Sequence, residues 1–347
     1  MRAAEPETGA WSNAIVVPGA AETGKEEKQQ EKEEKKKERE EEKEKPKEEP
    51  EEERGPITFS PGINAGPEKA FDVPGATTLG AKTARISVEY NEVSGSFIAE
   101  EASWYVNKGT TPLILFDFTG KMPSAAQAKG ITALARIPGL KLIEFGNETN
   151  YNYQYKDEPS QASYKARART YAERFVEAAQ ALKPFGIGLL AQGSPGSTKS
   201  SVWLNEMFAA EPELTKYVSG WTVHPYGTKG PSEMEETVAD LAAHGDRSLP
   251  IDVTEWGVAT DNGRALEDNF GFPVNMTYAQ AGAQLKESVA TLRRAAGGRL
   301  RSFIVYQVRD QQKTGASTSR EAYFGALQHE LQKKGAYTEA VQALMKE

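Results

Sequence analysis

The chain has 347 residues, with 42 Lys and Arg against 50 Asp and Glu, and no cysteine. The missing cysteine excludes a disulfide framework, a thiolate nucleophile and a Cys-ligated zinc. No apolar run approaches the ~18 residues that would span a membrane, which points away from membrane insertion. Charge is unevenly spread: residues 25–54 hold 11 basic and 15 acidic groups, whereas residues 55–347 hold 30 and 32, a net of −2. That near neutrality argues against nucleic acid or an anionic membrane as the main partner.

Residues 1–24 lack the shape of a signal peptide, because Arg2 stands alone and Ala14–Val17 is too short for an apolar region. Gly19–Lys25 has the spacing of a phosphate-binding loop. Position 26, however, is Glu where Ser or Thr should hold magnesium, so the stretch reads as a Gly/Ala/Thr segment. Residues 25–45 are almost entirely Glu, Lys, Arg and Gln, and Pro46 and Pro50 end the run. Favourable opposite-charge pairs alternate there with like pairs such as Glu27–Glu31, and no apolar stripe exists to dock on a core. Residues 1–54 are therefore expected to be a low-complexity spacer without a globular fold.

From residue 55 apolar strands alternate with helix-like stretches. The first strand is expected over Thr58–Gly62, followed by a weak connection rich in Gly, Pro and Ala. Strands over Arg85–Asn91, Pro112–Phe118 and Leu140–Asn147 are followed by helices over Ile98–Asn107, Ala125–Ile137 and Ser163–Leu182. Strands over Gly186–Ala191 and Gly220–His224 precede helices over Ser201–Tyr217 and Ser232–His244. Pro250–Glu255 precedes Tyr278–Ala296, and Leu300–Val308 precedes Tyr337–Lys346. Eight strand–helix units predict a (β/α)8 barrel, an α/β fold, over residues 55–347. An open doubly wound sheet is the alternative, but no Gly-x-Gly-x-x-Gly follows a strand.

In such barrels the reacting groups sit at the C-terminal ends of the strands. Strand four ends in Glu144-Phe-Gly-Asn-Glu148-Thr-Asn150, and strand seven in Asp252-Val-Thr-Glu255-Trp-Gly257. Period-two alternation puts Ile251, Val253 and Glu255 on one face, so if the aliphatics fill the barrel, Glu255 caps that face at the mouth. By the same parity Leu142, Glu144, Gly146 and Glu148 share a face. Two glutamates facing each other at ~5–5.5 Å is the arrangement of a retaining glycosidase.

Gly-Asn-Glu on strand four and Thr-Glu-Trp-Gly on strand seven, with His-Pro-Tyr-Gly on strand six between them, resemble glycoside hydrolase clan A. These are retaining (β/α)8 enzymes that include cellulases, mannanases, xylosidases and arabinofuranosidases. The resemblance implies Glu148 as acid/base, Glu255 as nucleophile and Asn147 as a ligand of the sugar 2-hydroxyl. It also places His224 and Tyr226 near the nucleophile, and Arg85, which opens strand two, close to it. A buried Arg85–Glu144 pair is the structural alternative for that arginine.

Asp117 ends strand three, and either binds a sugar hydroxyl or caps the turn. Gln307 stands about where many clan members place a stacking Trp, and strand three carries no His after its aliphatic run, so the sugar does not transfer with the motif. Asn150 and Tyr151, with Tyr153 and Tyr155, form an Asn/Tyr-rich loop that offers stacking faces to a sugar chain. Trp256 is a further candidate, although it alternates away from Glu255 and can instead pack behind the strand. Phe270, Phe272 and Met276 lie in a long loop after strand seven, a candidate lid. The three histidines lack metal-ligand spacing, so neither metal nor cofactor is implied. The expected partner is a carbohydrate, and a polysaccharide substrate with a hydrophilic spacer favours an extracellular or cell-surface site. The competing classes are a carbohydrate-binding barrel without turnover and a cell-surface structural protein.

Overall fold

Eight parallel strands pair in chain order and β8 returns to β1, closing a barrel. The strands are β1 Ser60–Asn64, β2 Thr83–Glu89, β3 Thr111–Asp117, β4 Leu142–Phe145, β5 Gly188–Ser194, β6 Gly220–Val223, β7 Ile251–Trp256 and β8 Leu300–Val305. The helices are α1 Lys69–Leu79, α2 Ser96–Val106, α3 Ala125–Lys129, α4 Gln161–Leu182, α5 Ser200–Ala210, α6 Gly230–Ala243, α7 Tyr278–Ala295 and α8 Ala336–Leu344. This computed structural model describes residues 56–66, 69–94, 96–118, 120–149, 161–194 and 200–347. The expectations for residues 1–54 and for Asn150, Tyr151, Tyr153 and Tyr155 lie outside the described residues. No described helix is long and apolar enough to cross a membrane.

The eight units expected from the sequence are present, with instructive differences at their edges. The Gly/Pro/Ala-rich first connection is helix α1, although it contains Pro74. Pro74 is exposed while Val73, Ala76 and Leu79 are buried, so tertiary packing of that stripe overrides a poor local propensity. Gly75 permits the close approach, since a Cβ there would lie 2.5 Å from Val308 Cγ1. The third helix changes at Gly130 into a 3-10 segment over Gly130–Arg136. The fifth stops at Ala210, just before Pro212, rather than running on to Tyr217. Thr277 caps α7 through a reciprocal pair with Gln280, the backbone N–H of Thr277 reaching Gln280 Oε1 at 2.8 Å.

The core has two parts. A large apolar layer lies between strands and helices and includes Ile143, Ile251, Val253 and Phe303. A small cluster of Leu113, Leu190 and Ile304, with Leu142 against it, joins β3, β5, β8 and β4 and fills the barrel interior. Ile251 and Val253 thus face the helices, and the expectation that they fill the barrel is corrected. The register of β7 against β8 shifts between Val253 and Trp256, where three steps on β7 oppose two on β8. Such a bulge re-aims side chains, so Thr254 and Glu255 both reach inward while Trp256 returns to the helix layer.

Candidate active site

Strand β4 ends at Phe145 because Gly146 turns the chain at φ 81°. A Cβ on Gly146 would lie 2.4 Å from the Phe118 ring, so the turn demands glycine. Two residues on, Glu148 itself has φ 47°, a left-handed backbone that a glutamate rarely adopts. This turn brings Glu148 toward β6 and β7. An oxygen of Glu148, a ring nitrogen of His224 and an oxygen of Glu255 all lie within 4.8 Å of one another.

Arg85, on β2 and 2% exposed, holds three partners with one guanidinium. Its Nε donates to Glu144 at 2.5 Å, one terminal nitrogen to Glu255 at 2.6 Å and the other to Asn147 at 3.0 Å. Arg85 therefore pairs with Glu144 and also touches Glu255. Burial alone would raise the Glu144 carboxyl, but Arg85 and the nearby His224 imidazole hold it down at about 2. Burial likewise opposes charge on Arg85, and Glu144 and Glu255 more than offset it.

Glu255 accepts from Arg85 on one oxygen and from the Tyr226 hydroxyl on the other, at 3.0 Å. Both partners are donors, one to each oxygen of this carboxyl group. Glu148 instead faces His224, with Nδ1 2.9 Å from its Oε1. Burial would lower the His224 imidazole, but Glu255, the hydrogen-bonded Glu148 and the nearby Glu144 push it up to about 10. Burial and the neighbouring Glu255 also raise the Tyr226 hydroxyl well above its usual value, which keeps it a donor.

These groups open on a cavity of about 920 Å³. Asn147, Glu148, His224, Tyr226 and Glu255 line it. Tyr306, Phe270 and Phe324 form an aromatic wall beside Tyr226, with the Tyr226 and Phe270 rings 4.9 Å apart and Tyr306 and Phe324 5.6 Å apart. Such rings suit the C–H faces of a sugar. Arg320 lies over Phe270 at 3.7 Å and pairs with Asp268. Glu233 also faces the cavity, and burial with neighbouring Glu236 pushes its carboxyl up to about 7.

Other sequence candidates fall elsewhere. Trp256 is fully buried against Phe272 and Phe303 and does not line the cavity. Gln307 is 1% exposed and lines a separate space of about 200 Å³ with Gly66, Asp72 and Arg309. Tyr306, one residue earlier, occupies the aromatic wall instead. Asp117 is half-buried, accepts from Ser87 at 3.3 Å and is not among the cavity residues. Of the candidate lid residues, Phe270 joins the wall while Phe272 and Met276 are buried in the helix-facing core. Sequence reasoning gave no role to Thr254, Tyr306 or Phe324. For Thr254 the signal was its place beside Glu255, and for Tyr306 its aromatic character at a strand end.

Glu148, His224 and Glu255 are the group among the described residues whose spacing would accept a metal ion. The Arg85 cation already holds Glu255 and His224 Nδ1 is engaged by Glu148, so the donors are satisfied without one.

No protein-family model and no curated protein sequence matches the chain. Solved structures do resemble it. A β-xylosidase from Caulobacter crescentus superposes with a TM-score of 0.59 at 17% identity, over 84% of this chain and 72% of that one. A fungal β-1,4-galactanase gives 0.59 at 13% identity, over 81% and 93%. A thermostable mutant xylanase from Cellvibrio japonicus gives 0.55 at 15% identity, over 83% and 98%. At these identities the likeness is one of fold, a (β/α)8 barrel shared with glycoside hydrolases.

Proposed function

We propose that the chain is a retaining glycoside hydrolase that cleaves O-glycosidic bonds of an oligo- or polysaccharide, with Glu255 as nucleophile and Glu148 as acid/base. The observation that carries this reading is the pair of carboxylates at the barrel mouth with oxygens within 4.8 Å of each other. Retaining enzymes hold their carboxyl groups ~5–5.5 Å apart, whereas inverting enzymes need ~6.5–9.5 Å to admit a water. The environments also differ as the roles require: Glu255 receives two donors, and Glu148 meets an imidazole nitrogen at 2.9 Å.

In the first step Glu255 attacks the anomeric carbon while Glu148 delivers a proton to the departing glycosidic oxygen. The bond electrons leave with that oxygen, and a glycosyl ester of Glu255 forms. Glu148, now a base, takes a proton from water, whose oxygen displaces Glu255. Asn147, held by Arg85, presents its amide at the cavity edge as a ligand for a sugar hydroxyl. The same ester can pass to a second sugar, which gives transglycosylation.

The solved structures of similar fold are described as a xylosidase, a galactanase and a xylanase, so β-linked pentose and hexose chains are the first substrates to test. A panel of aryl β-glycosides and the corresponding polysaccharides should identify one that is cleaved. Proton NMR of the first-formed product should then show the anomer of the substrate bond. An inverted product would overturn the assignment of this carboxylate pair.

A further inference from the structure

We propose that Thr254 is a positioning residue that fixes a proton on Nε2 of His224, so that the Nδ1–Glu148 contact is the store of the one proton used on the leaving group. The inference rests on the glycosidase reading for its catalytic meaning, but the proton placement follows from hydrogen-bond chemistry alone.

The Thr254 hydroxyl lies 2.8 Å from Glu144 Oε1 and 3.0 Å from His224 Nε2, and both Thr254 and Glu144 are wholly buried. A hydroxyl has one proton to give. Glu144, bound to Arg85 at 2.5 Å, is ionised and can only accept. Turning the Thr254 proton toward His224 would set two acceptor oxygens 2.8 Å apart in a buried site. The proton therefore points to Glu144, and the Thr254 oxygen accepts from Nε2–H.

With Nε2 protonated, the 2.9 Å contact between Nδ1 and Glu148 Oε1 has room for one proton. It resides on either partner, as a Glu148 acid donating to Nδ1 or as an Nδ1–H donating to the carboxylate. Zero protons would oppose two lone pairs, and two would clash. The charged and titratable groups facing His224 are Glu144 and Glu148 from the β4 end, Glu255 from β7 at 3.8 Å, and Tyr226 beyond β6. Arg85 from β2 neutralises part of that field through Glu144 and Glu255. On glycoside cleavage the shared proton goes to the glycosidic oxygen, and the attacking water restores it in the second step. Nε2–H is unchanged throughout.

Long-range proton–nitrogen NMR of the full chain, with the three imidazoles assigned through His244→Gln and His329→Gln, reads the protonation of each ring nitrogen. Nε2 of His224 should be protonated from pH 5 to 8 in the wild type and in Thr254→Ser. In Thr254→Val it should lose that state in part or in full, because the remaining acceptor, Glu144, is 3.7 Å away. The same variant should lower kcat on poor leaving groups about 10-fold or more, move the alkaline limb of the pH profile down and leave KM unchanged, with Thr254→Ser restoring both. An unprotonated Nε2 in the wild type, or an unchanged spectrum in Thr254→Val, would overturn the proposal. If Thr254→Val does not fold, Thr254→Ala, which also removes the hydroxyl, takes its place in both measurements. The spectra need no turnover, so a protonated Nε2 in a protein that cleaves no glycoside would sink the glycosidase reading and leave the proton placement standing.

Discussion

Arg85 and Glu255 stand 2.6 Å apart on β2 and β7, and the same guanidinium binds Glu144 across the barrel interior. One buried cation thus serves two carboxylates, and Glu255, proposed above as the nucleophile, is held by the residue that also neutralises the core glutamate. Glu255→Gln keeps the shape and removes the attacking charge, so turnover should fall by about 1000-fold or more with the fold retained. Arg85→Lys keeps the charge but loses the fork that reaches three acceptors, and kcat should fall about 100-fold. Steady-state kinetics beside circular dichroism checks both. Near-wild-type rates in Glu255→Gln would end its assignment.

On the proposed roles, Glu148→Ala removes the proton donor. Substrates with poor leaving groups should slow by about 100-fold or more, and activated aryl glycosides, which need little protonation, far less. Equal losses on both would mean that Glu148 only orients the sugar.

The buried network also has a pH signature. Glu144 lies at about 2 against an ordinary 4.5, so its contribution to stability is full above 4.5 and lost as pH falls toward about 2. His224 lies at about 10 against 6.5, so its contribution is full below 6.5 and lost as pH rises toward about 10. The Tm gap between wild type and His224→Gln should therefore be widest below pH 6.5 and shrink toward pH 10. The gap to Glu144→Gln should shrink on the acid side, below pH 4.5. Gaps that do not change with pH would contradict the coupling.

A second buried cation holds the loops behind the aromatic wall. Lys334 Nζ donates to Asp310 at 2.7 Å and to the carbonyls of Thr260 and Tyr323 at 3.0 and 3.1 Å, matching its three protons to three acceptors. Lys334→Met strands Asp310 and should cost about 3–5 kcal/mol. Burial already pushes the Asp310 carboxyl up to about 7, so protonation relieves the variant at low pH. Its Tm deficit should be smaller at pH 5 than at pH 8, as scanning calorimetry would show. A deficit independent of pH would mean that some other lost contact dominates.

Strand order and the placement of Glu148, Glu255, His224 and Tyr226 at one end of the barrel could be read from the sequence because alternating apolar runs and short motifs report on local structure. What escaped depends on longer-range geometry. Helix α1 is built by burial of Val73, Ala76 and Leu79 in spite of Pro74, which no local rule anticipates. The inward turn of Glu255 comes from a bulge between β7 and β8, visible only once the strands are paired. Simple alternation gave the mouth position for a reason that does not hold, since Ile251 and Val253 face the helices. Past Val305 the period of two no longer fixes direction, and so the aromatic position fell to Tyr306 and not to Gln307.

The backbone at Glu148 bears on whether the barrel is an enzyme or a lectin. A glutamate at φ 47° is held there against a preference of about 1 kcal/mol, where Asn or Gly would sit more comfortably. A barrel that merely bound sugar would be served as well by an amide, which also meets sugar hydroxyls. Under the glycosidase reading, that unfavourable turn is what aims the acid/base across the mouth at Glu255.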